Sequence, residues 1–217
     1  LANGKSQTMS NSLGFVNVVE KMCEIEVPRK ASYIRVLVAE LQRISSHLVA
    51  LGTYGLDLGG ALGGGASLFL YCFREREKIL DIMEELTGTR FHTNINQIGG
   101  VRYDLKPELV VKIHDLISYL RPLLLEYDNM FSQDEIIKKR TKNIGVISKE
   151  LANENGCSGP VSRASGIDFD IRKNSPYECY EELDFTIPLG KNGDAYDRTI
   201  VRIRENMQSL KIVEQII

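Results

Sequence analysis

The chain has few of the side chains that hold metals. Its 217 residues contain only four cysteines, Cys23, Cys72, Cys157 and Cys179, and three histidines. The cysteines are scattered and include no Cys-x-x-Cys pair, so neither a structural zinc site nor a self-contained iron–sulfur site is signalled. No metal or flavin is expected on this chain, and the thiols are expected to be reduced. No apolar run approaches the roughly 20 residues that cross a bilayer. The N-terminal stretch LANGKSQTMS has neither the basic start nor the apolar centre of a signal peptide. Charge of one sign is also lacking: 27 Lys and Arg face 29 Asp and Glu. The net figure carries no nucleic-acid footprint. Residues 59 to 67, GGALGGGAS, lack the Lys-Ser/Thr of a P-loop and do not complete Gly-x-Gly-x-x-Gly, which leaves a hinge or a close-approach loop. Both ends of the chain read as cuts, so a fragment is expected.

The chain is organised around Ala31 to Gly59. Ile34, Leu37, Leu41, Ile44, Leu48 and Leu51 recur at three- and four-residue steps, the spacing of one helix face, and predict a core. A second stripe, Glu40, Arg43, His47, Tyr54 and Asp57, runs beside the apolar one and belongs at the margin of the core or at an interface. Such a stripe serves either as a network tying helices together or as part of a site.

The rest of the chain is also mainly helical. A helix is predicted over Asn11 to Ile25, with Phe15, Val18, Val19 and Met22 on its buried side. Another, capped by Ser67 and stopped by Gly88, carries Phe69, Phe73, Leu80 and Met83 inward. Arg76 falls on that apolar line and is expected to pair with an acidic group, Glu40 first and Asp57 second. Its neighbours Arg74, Glu75, Glu77 and Lys78 read as a solvated or partner-facing surface. Residues 89 to 108 read as a structured loop in which His92 is exposed or capping, and Pro107 opens a long helix containing Pro122. His114 there is structural. Ser132 and Glu135 suggest a capping box for the next short helix.

From Gly156 the composition turns to Gly, Ser, Pro and Asp, with Arg163, Asp168, Asp170, Arg172 and Lys173 alternating in sign. Leu183, Phe185 and Ile187 suggest a short strand. Arg198 to Ile217 forms the final helix. One domain, 1–217, is expected: a helical core over 1–155, an irregular charged segment over 156–194 and a C-terminal helix over 195–217. No nucleophile–base pair or metal constellation can be located from spacing.

The blocks ASYIRVLVAELQRISSHL, LDLG, FREREKILD, TGTRFH, IGGVR, RASGIDFDIRK, PLGKNGDAYDR and VRIREN run in a known order. From about Phe15 to Ile217 the chain resembles the family of D subunits of NADH-quinone oxidoreductase (complex I), which is related to the large subunit of nickel–iron hydrogenases. The resemblance implies a helical bundle of the hydrogenase large-subunit type and a peripheral position on the cytoplasmic face of the inner membrane. It also implies a share in the cavity where quinone, the substrate, is reduced from an iron–sulfur cluster held by a partner. The partners implied are the iron–sulfur subunits B and I, the C subunit and the H subunit of the membrane arm; nucleic acid is not among them. The isolated chain is expected to be inactive. Asp57, in LDLG, matches the family aspartate associated with proton delivery to quinone and is the catalytic candidate. His47, Tyr54, Glu40 and Arg43 are candidates for the cavity or its proton network. Three departures stand out. Lys5 occupies the place of the family's quinone-contacting tyrosine, Gln97 that of an arginine, and the glycine loop is longer than usual. The alternative reading is a non-catalytic scaffold subunit of a related hydrogenase-like or ferredoxin-linked membrane complex.

Overall fold

A single 30-residue helix, Arg29–Leu58, is the axis on which the other elements pack. The computed structural model describes residues 8–59, 65–90 and 93–217. Lys5, His92 and most of the glycine loop fall outside these residues. In chain order the described helices are α1 (Thr8–Cys23), α2 (Arg29–Leu58), α3 (Gly65–Thr87), α4 (Pro107–Gln133), α5 (Glu135–Thr141), α6 (Lys149–Glu154), α7 (Pro160–Ala164), α8 (Ile171–Asn174) and α9 (Ala195–Ile216). The one described sheet is a two-stranded antiparallel hairpin, β1 (Asn96–Gln97) with β2 (Gly100–Val101). The fold is therefore mainly α, as the periodicity predicts.

Helix α2 packs against α3 on one side and α9 on another, and α4 completes the ring by touching both α3 and α9. The predicted face from Ile34 to Leu51 lies in the middle of this bundle, and all six of its residues are buried. Close approach of α2 and α3 depends on small residues. A Cβ added at Gly55 would stand 2.8 Å from Leu68 Cδ2, too close for any larger residue without repacking. Chain punctuation also follows the sequence: Gly88 stops α3 with φ of 78°, and Ser148 caps α6 by accepting from the Leu151 N–H.

Several expectations are corrected. Helix α1 buries Met9, Leu13 and Val16, whereas Phe15, Val18 and Met22 face outward. The 89–108 segment holds the small hairpin, turning through Gly99 at φ of 83°. Helix α5 is capped by Asp134, which accepts from the Ile137 N–H, and not by Ser132. Glu75, expected at the surface, is fully buried, and Tyr127 donates to its carboxylate at 3.2 Å. Helix α9 begins earlier than Arg198, because Asp194 accepts from the Asp197 N–H.

The Leu183–Ile187 segment forms no strand. Leu183 and Phe185 do point inward in alternation, but the backbone N–H groups of Asp184 and Thr186 donate to the side-chain oxygens of Gln215 and Gln208 on α9. Glutamine side chains thus satisfy groups that a neighbouring strand would otherwise pair.

Candidate functional site: a polar seam between two central helices

The polar stripe of α2 meets a matching one on α9. Arg198, Arg202, Glu205 and Ser209 are spaced four, three and four residues apart, again one face of a helix. The two helices run antiparallel, so Ser209 meets Glu40, Glu205 meets His47, and Arg202, Thr199 and Arg198 reach the Tyr54–Asp57 end.

The Glu40 end is buried and densely bonded. The Glu40 carboxylate accepts from Ser209 at 2.6 Å, from Arg172 Nη1 at 3.1 and 3.2 Å, from Arg43 Nε at 3.1 Å and from the Tyr180 hydroxyl. Burial alone would push this carboxyl up. The Arg43 and Arg172 charges and the two hydroxyl donors outweigh it and hold the group down at about 2. Arg172 also grips Asp170 at 2.7 Å, and Asp170 lies 3.5 Å from Arg163. Arg163 donates to Glu205 at 2.5 Å, and Glu205 accepts from His47 Nε2 at 2.7 Å. A continuous chain of ionised groups thus runs from Glu40 through the irregular segment to Glu205, which holds His47. Arg163, Asp170 and Arg172 of the sign-alternating run supply it.

His47 and Glu205 pair an imidazole with a carboxylate in this chain. Burial pulls the His47 ring below its usual value despite the Glu205 carboxylate, which favours the neutral ring. Burial opposes ionisation of Glu205 as well. The His47 and Arg163 donors overcome it and hold the carboxyl at about 2.

Beyond His47 the seam opens. An open cavity of about 320 Å³ is lined by Thr53, Tyr54, Asp57, Arg198, Thr199 and Arg202, with Ala50 and Leu51 as apolar walls. Asp57 is exposed in the last turn of α2, and the helix end is closed by the Gly59 N–H donating to Leu56 O. Burial raises the Tyr54 phenol, while Thr199 hydrogen-bonds in the opposite sense. Arg202 lines the open cavity, and its charge, together with that of Arg43, helps to lower His47.

The structure thus divides the predicted residues. Glu40, Arg43 and His47 join the buried network, Tyr54 and Asp57 line the open end, and Arg76 joins neither. The expected pairing of Arg76 with Glu40 is not formed, because Arg172 and Arg43 occupy that carboxylate. Arg76 instead lies 3.8 Å from Glu77 on its own helix, with its guanidinium over the Phe73 ring. Sequence reasoning missed Glu205 and Arg202, although their spacing on α9 is the same signal as the stripe on α2. It also missed Arg35, a buried cation one turn before Ala39 that bonds Glu20, Glu178 and the hairpin carbonyls of Gln97 and Gly100.

A ring of long helices joined through a buried polar seam, with an irregular charged segment locked to it, defines a class of helical proteins built around an internal ionised network. Comparison with known proteins supplies the particular family. Residues 63–217 match the family described as respiratory-chain NADH dehydrogenase, 49 Kd subunit. The D subunit of NADH-quinone oxidoreductase from Desulforamulus reducens is 43% identical over 202 residues, covering 93% of this chain and 54% of that protein. The D subunit from Clostridium beijerinckii is 45% identical over 207 residues, covering 95% and 55%. The C/D 2 subunit from Aquifex aeolicus is 46% identical over 205 residues, covering 94% and 34%. The chain belongs to this family of complex I subunits, and it spans about half the length, or less, of these curated relatives.

Proposed function

We propose that the chain is part of a core subunit of a respiratory NADH-quinone oxidoreductase and that the open end of the polar seam borders its quinone cavity. The observation that carries this reading is Asp57 and Tyr54 facing one open cavity that Arg202, one turn before Glu205 on α9, also lines. Quinone reduction takes up protons with the electrons, so a solvent-exposed carboxylate on the cavity suits a relay that takes a proton from water and passes it to the reduced quinone. Tyr54 and Arg202 offer hydrogen-bond donors and Ala50 and Leu51 an apolar wall, a lining that fits a quinone headgroup. In this reading Asp57 delivers the proton, His47 and Glu205 stabilise charge behind it, and Glu40 and Arg43 hold the irregular segment in place. Electrons come from an iron–sulfur cluster on a partner, with quinone as substrate. The partners are the iron–sulfur subunits B and I, the C subunit and the H subunit of the membrane arm, and proton translocation is a property of that assembly. No described helix is long and apolar enough to cross a membrane. In this reading the protein lies peripherally, at the cytoplasmic face of the inner membrane.

The test is Asp57→Asn in the assembled complex, which keeps the side chain's shape and removes its charge. Assembly and cluster reduction should persist while quinone reduction falls at least tenfold, within the range lost with general acids. Unchanged quinone turnover would remove Asp57 from the chemistry.

A further inference from the structure

We propose that the outer face of α1 and the cavity beside it form a docking site for another protein of the complex, which inserts an acidic side chain flanked by apolar groups. This rests on reading the chain as part of a larger complex, not on the assignment of quinone chemistry to Asp57. Three observations carry it.

The first is the orientation of α1. Phe15, Val18 and Met22, at 65%, 58% and 78% exposure, form a continuous outward stripe at helical spacing. Exposed apolar stripes of this kind mark interaction surfaces.

The second is the charge of the neighbouring cavity. One residue out of phase with that stripe, Ser10, Gly14, Asn17 and Lys21 line a cavity of about 570 Å³ whose opposite wall includes Arg43 and Tyr177. Lys21 and Arg43 are the charged residues of this lining, and no carboxylate is among them. Arg43 turns Nε and Nη2 toward Glu40 at 3.1 and 3.4 Å, which leaves Nη1 available to an incoming acceptor. A guanidinium and an ammonium at one cavity select a carboxylate. The apolar stripe alongside selects one carried on a protein surface with apolar neighbours.

The third is Gly14. It sits in the middle of a helix, where glycine is less stable than alanine. A Cβ added there meets nothing within 4 Å, so no packing among the described residues requires its small size. The space that a side chain would take is the cavity itself. Glycine at such a point suits close approach by an occupant.

The experiment uses the assembled complex. A zero-length carbodiimide cross-linker should join Lys21 to an Asp or Glu of a neighbouring protein, with the link identified by peptide sequencing. Lys21→Glu and, separately, Gly14→Trp should weaken association of the purified chain with that neighbour at least tenfold. Gly14→Trp should leave the chain's thermal unfolding midpoint unchanged, since that position faces open space, whereas Lys21→Glu, which puts a negative charge in the last turn of α1, should lower it only slightly. Lys21 linked only within its own chain, or shielded in the complex without any such link, would overturn the proposal, the latter by pointing to a small anion. Unchanged affinity of the Gly14→Trp chain would overturn it too. Complexes that do form with Gly14→Trp should reduce quinone at the wild-type rate, which separates this proposal from the role of Asp57.

Discussion

Arg172 is the residue through which the irregular segment is bound to the bundle. Its side chain is almost wholly buried, with one edge on Asp170, another on Glu40, and the Phe185 ring 4.8 Å from the guanidinium carbon. An arginine cannot shed its charge, and neither buried carboxylate can do so cheaply while the other donors remain. Arg172→Ala is therefore expected to cost about 3–5 kcal/mol, the usual penalty for stripping a buried ion of its partner. By contrast, Arg29 meets Glu182 on the surface with most of its side chain in water, and Arg29→Ala should change stability far less. Urea unfolding of the two variants side by side checks the ordering, and equal costs would contradict the account of Arg172 as a tether. Glu40 and His47 could be singled out from the sequence because their stripe lies beside a strong apolar face. Their partners were harder to see. Arg172 is distant in sequence and sits in a segment without period, where spacing says nothing about which carboxylate it meets.

At the level of elements, helices with strong period were legible and the connections were not. The six apolar positions of α2 are all buried because a long helix has only one way to place such a face. Helix α1 misled for a physical reason. It carries two apolar stripes, and sequence alone does not say which one meets the bundle. The Leu183–Ile187 segment shows a third case, since its alternation is real while the strand is not. Two glutamines seven residues apart on α9 lie on one face, and they meet N–H groups two residues apart on the extended chain. If these side chains do replace a strand, Gln208→Ala should speed hydrogen exchange at the Thr186 amide and Gln215→Ala at the Asp184 amide. Global stability should fall by no more than about 1 kcal/mol, because both amides lie in exposed chain. Exchange rates unchanged in both variants would mean that burial of Leu183 and Phe185 holds the segment by itself.

For the whole molecule, the seam makes stability depend on pH in a direction set by its shifted groups. Glu40 and Glu205 are held at about 2 in the folded protein, whereas carboxylates of an unfolded chain titrate near about 4.3. Above roughly pH 5 they are ionised in both states and their contribution is complete. As the pH falls, the unfolded chain takes up protons first, so stability is lost progressively down to about pH 2. Each group contributes on the order of 3 kcal/mol to this loss, since both are almost fully removed from solvent. His47 acts in the same direction from a higher starting point. Its folded ring refuses a proton that the unfolded ring accepts near pH 6.5, so the decline begins below that value. The expected curve of unfolding free energy against pH is therefore a shallow fall beginning near pH 6.5 and a steeper one below about 5. Replacing His47 with Gln should remove the upper limb and, because Glu205 loses its imidazole partner, make the lower limb shallower. Replacing Glu40 with Gln should lower the plateau, because Arg43 and Arg172 lose their shared anion, and should flatten the lower limb. A wild-type curve that stays level between pH 5 and 3 would show that these carboxylates are not held ionised. The seam would then lack the fixed charge that the proton-delivery reading of Asp57 places behind it.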